Sequence, residues 1–183
     1  MNRVSWLNLH LWVPQKDVRK LIYSLLDSVD KQMIKCAHNS TLKVWLNGEE
    51  TRICASRGYL TILQIASPFI VGPEYICEYA ALGGHLNIIK WAKQLGCEMD
   101  SNTCTNAAKG GHFDLLKSVR LNYGCDWDIF TSAAAAESGQ LEILKWLIKG
   151  GCPHDTNWCL QSKHASIVKY MMEEVGWKIK NKE

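Results

Sequence analysis

The chain has 183 residues, 47% of them hydrophobic and 21% charged, with a formal net charge of +3. That is the composition of a soluble globular protein long enough to bury a real core. It contains no apolar run of membrane-spanning length and no concentrated basic face of the kind that phosphate binding needs, so neither a membrane nor a nucleic acid is expected as a partner. The opening MNRVSWLNLHLW lacks a sustained apolar core followed by a small-residue cleavage site, which argues against a secretory signal. A reducing, cytoplasmic setting is expected, in which free thiols persist.

In chain order the first elements come from LWVPQKDVRKLIYSLLDSVDKQMIKCAHNS. Pro14 suits the first turn of a helix, and Val18, Ile22 and Leu25 make one apolar stripe. Asp30 opens a second helical stretch through Met33 and Ile34, so residues 1–49 read as an N-terminal helical module. The order Val13, Pro14, Asp17, Leu25, Leu26, Asp27 and the later Trp45 resembles the F-box family. Over about 33 residues that family opens on Leu-Pro, an acidic residue, an aliphatic pair, Asp and a later Trp, with Val13 here replacing the leucine. The resemblance implies docking to the adaptor subunit of a cullin-type ubiquitin ligase through Pro14, Val18, Ile22, Leu25 and Leu26. The other reading is that these helices cap the remainder of the chain, and both stand.

From residue 50 the grammar changes. Gly58, Gly84, Gly111 and Gly139 stand 26, 27 and 28 residues apart. Three and four residues before each glycine come small side chains: Cys54-Ala55, Ala80-Ala81, Ala107-Ala108 and Ala135-Ala136. After each of the last three come Leu86, Ile88, Ile89 and Ala92, then Phe113, Leu115, Leu116 and Val119, then Leu141, Ile143, Leu144 and Leu147. These offsets line one helical face. Each unit is therefore a short helix, a turn and a longer helix, with the short helices over 76–83, 103–110 and 130–138. Gly96-Cys97, Gly124-Cys125 and Gly151-Cys152 close the units, and Asp100, Asp128 and Asp155 are placed to cap the next helix. A helix pair this small buries its apolar face only by stacking on its neighbours.

The recurring Ala-Ala, Gly-His and Leu-x-Ile-Leu-Lys-Trp order, with GC..D links, is similar to the ankyrin family, above all its shortened variety found in large DNA viruses and protists. The resemblance covers about residues 50–177. It implies an all-α helical solenoid of four to five short helix-turn-helix repeats over 50–183. It implies too that protein partners bind on the concave, first-helix side. Standard units run about 33 residues, so the shortening falls in the fingers between helix pairs. The ends depart from the pattern: Pro68 stops the second helix of the first copy, and QSKHASIVKYMMEEVGW has no Gly-His turn, reading as a degenerate cap.

The eight cysteines form no CxxC and no close Cys/His cluster. Their spacing is that of the repeat, so they read as small buried hydrophobes rather than metal ligands, and no cofactor is expected. His85 and His112 follow their glycines where Gln140 and Tyr59 stand in other copies. Such exchange reads as a side chain bonded to backbone at the start of the second helix. Trp91 and Trp146 read as packing, and Trp127 and His154 as exposed link residues. No phosphate-cradling loop or nucleophile elbow is present, so catalysis is not expected.

Two and five residues before each glycine the side chains vary freely, as Leu82 and Tyr79, Lys109 and Asn106, Glu137 and Ala134. Tyr79, Leu82, Asn106, Lys109 and Glu137 are the expected partner contacts, with Tyr79 as anchor. The expected function is non-enzymatic: the array holds a protein partner while the N-terminal module recruits the ligase adaptor. The alternative is a scaffolding protein whose first helices only cap the array.

Overall fold

The computed structural model describes residues 46, 48–66 and 75–173, all within one compact unit, Lys43–Glu183. The F-box-like positions Pro14, Val18, Ile22, Leu25, Leu26 and Trp45 lie outside the described residues, as do Cys36, Pro68 and the closing KIKNKE.

Among the described residues there are ten helices and no strand. The helices are α1 (Gly48–Arg57), α2 (Leu60–Ala66), α3 (Ile76–Gly83), α4 (Leu86–Gln94), α5 (Ser101–Gly110), α6 (Phe113–Tyr123), α7 (Ile129–Glu137), α8 (Leu141–Lys149), α9 (Thr156–Leu160) and α10 (Ala165–Glu173). Each odd-numbered helix packs on the next odd-numbered one, and each also packs on the even-numbered helix that follows it. Two packed helices joined by so short a turn run antiparallel. The odd-numbered helices therefore form a continuous row, and each carries its partner on one side.

The turn within each pair has one construction. Gly84, Gly111 and Gly139 have φ of +80°, +77° and +74°, a conformation that costs a side chain dearly and glycine little. The next residue then reaches back to the first helix: His85 N–H to Ala80 O at 2.8 Å, His112 to Ala107 at 3.0 Å and Gln140 to Ala135 at 2.8 Å. This closure satisfies carbonyls that the helix end would otherwise strand. The aspartates do the same at the other end. Asp128 accepts from Phe130 N–H at 2.9 Å and Thr131 N–H at 3.2 Å, Asp155 from Asn157 N–H at 2.8 Å, and Asp100 from Thr103 N–H at 3.3 Å.

The core follows the repeat. Ala80, Ala81, Ala107, Ala108, Ala135 and Ala136 are fully buried where odd-numbered helices meet, because side chains this small let the helix backbones approach. Ile88, Ile89 and Ala92, then Leu115, Leu116 and Val119, then Ile143, Leu144 and Leu147 are buried from the even-numbered helices. Leu86, Phe113 and Leu141, expected on that same face, are only half-buried at its flank.

The last copy keeps more of the pattern than its sequence suggests. Helix α9 has only five residues, yet His164 occupies the place of His85 and His112, with Lys163 where the glycine would stand. Ile167 and Met171, four and eight residues after Lys163, are fully buried in the frame of the other copies.

Candidate partner-binding face

The outer surface of the helix row carries the expected contact positions. Tyr79 on α3 is half-buried and its hydroxyl accepts a hydrogen bond from Arg52 Nη1 on α1 at 3.4 Å. The Arg52 guanidinium lies 5.6 Å from the centre of the Tyr79 ring and 6.0 Å from that of Tyr75. Gly48 O takes its Nε at 3.2 Å. Arg52 and the two tyrosines thus hold one another in place across two copies, which reduces the rotamer freedom lost when a partner binds.

At the other end of the row Glu137 is exposed, and its Oε1 accepts from Trp158 Nε1 on α9 at 2.7 Å. Trp158 meets the ring of Phe130 edge-on at 5.9 Å, and Phe130 is 56% exposed. Between these ends lie half-buried Leu82 and Asn106 and exposed Lys109. Ala134 is nearly buried, because the next helix covers so short a side chain. A Thr105–Thr131 hydroxyl contact of 3.0 Å ties α5 to α7 beneath them.

Arg52, Tyr75, Phe130 and Trp158 were not among the residues singled out from the sequence. The signal was present, since Tyr75 and Phe130 both stand nine residues before a register glycine and Trp158 stands five before Lys163. One further helical turn of the same periodic reading reaches Tyr75 and Phe130, and Trp158 holds the slot of Tyr79.

The histidines differ from expectation. None of the His85, His112 and Gln140 side chains caps its own helix. Instead each histidine reaches into the preceding copy: His85 Nε2 contacts Ser56 O at 3.1 Å, His112 Nε2 contacts Leu82 O at 3.0 Å, and His164 Nε2 contacts Glu137 O at 3.2 Å. Each ring lies over the register glycine of that copy, close enough that a Cβ on Gly58, Gly84 or Gly139 would overlap it. Gln140 lies over Gly111 in the same way. The clasp fixes one copy on the next. His112→Ala is expected to lower stability by about 1–2 kcal/mol, the cost of a lost bond and an unmet carbonyl. His112→Gln should recover much of that loss, because Gln140 already fills the equivalent seat. Urea unfolding of the three chains measures both.

The cysteines also join copies. Cys125 Sγ donates to Asp100 O at 3.0 Å and Cys152 Sγ to Asp128 O at 3.3 Å, so each link is tied to the one before it. Burial pushes the thiols of Cys54, Cys77 and Cys152 up to about 12 and that of Cys159 up to about 11. A hydrogen bond with Cys125, together with burial, raises that of Cys104 further. Held protonated in this way, these thiols are poor nucleophiles. Among the described residues no group of three or more His, Cys, Asp or Glu is placed to hold a metal ion, and no helix is long and apolar enough to cross a membrane.

Trp127 departs from the exposed placement expected of it. It is half-buried, edge-on to Trp146 at 5.4 Å, with the Arg120 guanidinium 4.3 Å from its ring centre.

Among the described residues these features define an all-helical stack of helix pairs with one face of recurring, variable side chains. No protein-family model, no curated protein and no solved structure matches the chain.

Proposed function

We propose that this chain is a non-enzymatic binding protein in which an ankyrin-type helical array holds a protein partner on the row of odd-numbered helices. The observation that carries the reading is the division of that row. Its inward slots are nearly constant alanines, and its outward slots hold Tyr79, Leu82, Asn106, Lys109 and Glu137. A surface with a fixed core and variable, partly pre-held aromatic and charged side chains suits recognition. Catalysis has no comparable support.

The N-terminal module completes the proposal on the strength of its F-box-like order. Through Pro14, Val18, Ile22, Leu25 and Leu26 it recruits the adaptor of a cullin-type ligase in the cytoplasm, and the mechanism is proximity between that machinery and whatever the array holds.

The test is a pull-down with the full chain from eukaryotic lysate, scored separately for the cullin adaptor and for proteins retained by the array. Tyr79→Ala with Lys109→Glu is expected to release the array's partner by about tenfold or more and to leave the adaptor bound. Val18→Asp is expected to do the reverse with little change in melting temperature. Unchanged partner retention by the folded double variant overturns the face. A destabilised Val18→Asp chain, with no adaptor on wild type, replaces the F-box reading with the cap reading.

A further inference from the structure

A second surface lies away from the helix row, between the even-numbered helices α8 and α10. Between α6 and α8 the corresponding space is filled: Phe113 meets Trp146 edge-on at 5.7 Å and Trp127 meets the same ring at 5.4 Å. One copy further on, the positions of Phe113 and Trp146 are held by Leu141 and Tyr170, and the link residue corresponding to Trp127 is His154, which turns to Cys152 O at 3.4 Å. Where Leu86, Phe113 and Leu141 follow their clasp residues, Ala165 follows His164. Among the described residues the plug is therefore missing, and an open groove of about 640 Å³ runs between the two helices.

Leu141, Ile148 and Tyr170 give the groove an apolar floor, and its charged lining is Lys145, Lys149 and Lys169 against Glu173. Lys145 bonds Glu142 at 2.9 Å and lies 5.7 Å from the centre of the Tyr170 ring. Lys149 and Lys169 have no carboxylate within bonding distance among the described residues, and both are exposed. Lys145 and Lys149 stand one helical turn apart, the spacing at which carboxylates recur along one face of another helix. An apolar seat with ammonium groups on its rim calls for a bulky apolar side chain flanked by acids.

We propose that the groove between α8 and α10 docks an acidic amphipathic helix of a partner protein. Its bulky apolar residue takes the place between Leu141 and Tyr170 that aromatic rings fill one copy earlier, and its carboxylates pair with Lys149 and Lys169. Helix-in-groove docking has this form. Phosphate recognition alone would use the lysines and leave the apolar floor without a role. The site is independent of the helix row, so failure of one leaves the other standing.

The experiment is fluorescence anisotropy of the full chain with a labelled helical peptide. The peptide carries Trp and Leu one turn apart and Glu at the flanking positions. Matched probes have Lys for Glu, or Ala for Trp, and a single-stranded oligonucleotide is the nucleic-acid arm. The acidic peptide is expected to bind in the micromolar range, more weakly as salt rises, and the Lys and Ala versions about tenfold less tightly or worse. Lys149→Glu with Lys169→Glu, and separately Leu141→Phe with Tyr170→Trp, which restores the aromatic plug, should each abolish most of this binding. Tyr79→Ala should leave it intact. All five substituted side chains lie at the surface or half-buried, and melting curves show whether each variant is folded. Lys149→Gln with Lys169→Gln repeats the charge test if the reversal unfolds the chain. Equal binding by acidic and basic peptides, or by wild type and the plugged variant, overturns the proposal. So does an oligonucleotide that binds more tightly than the peptide and loses affinity on lysine reversal but not on plugging.

Discussion

Gly83→Ala is expected to destabilise the chain by about 3 kcal/mol, although the same change in an exposed helix would stabilise it by roughly 1 kcal/mol. Gly83 is the last residue of α3 and has an ordinary helical backbone, so conformational freedom does not explain its presence. Contact does. A Cβ on Gly83 would overlap the carbonyl oxygen of Ser56 and come within 2.7 Å of the His85 ring. That oxygen is the same one His85 Nε2 bonds, so the added methyl strikes backbone and the clasp together. Neither can move alone, because Ser56 is held in α1 and His85 in the turn. Gly110 is built the same way, against Leu82 O and His112, and Gly110→Ala should cost about as much. Paired urea titrations of wild type and the two variants measure the effect, and a gain in stability at either site would mean that the copies are not in close contact there.

The same residues mark what could and could not be read from the sequence. The repeat interval, the Ala-Ala slots, the capping aspartates and the glycine turns are local signals, each carried by a few neighbouring residues, and the helices lie where those signals place them. The destination of the His85 ring is a different kind of fact. It depends on how far one copy is displaced from the next, which no residue within a copy encodes, so the sequence suggests a backbone partner and misidentifies which one. Trp127 is misread for the same reason: a link residue lies open to solvent only if the following copy leaves it so, and Trp146 does not. His164 is hidden by the loss of its glycine, since Lys163 removes the motif but leaves the ring where it belongs. On the candidate face, variability points to Tyr79 and Glu137, whereas Arg52 becomes visible only once adjacent copies are laid side by side. The groove beside α10 is legible afterwards by comparing Phe113 and Trp146 with Leu141 and Tyr170, but a missing contact has no pattern of its own.

Alkaline conditions are expected to unfold the chain, because of the thiols. Cys54, Cys77, Cys152 and Cys159 are all at most 3% exposed, and burial holds the first three up to about 12 and the last up to about 11. In the unfolded chain the same groups ionise near the ordinary thiol value of about 8.5. Between those limits the unfolded state releases protons that the folded state keeps, so stability falls as pH rises. The contribution is fully present below about pH 8.5 and is lost on the way to 11 or 12. One pKa unit is about 1.4 kcal/mol, and screening reduces what a shift delivers. Even a single unit from each of four thiols removes about 5 kcal/mol, comparable to the whole stability of many domains. Unfolding is therefore expected near pH 10, with stability flat from pH 7 to 8. Cys152→Ser isolates the contribution of one thiol. Its hydroxyl can still donate to Asp128 O but does not ionise there, so the slope of stability between pH 9 and 11 should shrink by up to about 1.4 kcal/mol per pH unit, the share of one proton. A wild-type chain whose stability stays level to pH 10.5, or a Cys152→Ser chain with an unaltered slope, would mean that water reaches these thiols and that the links between copies open far more readily than their packing implies.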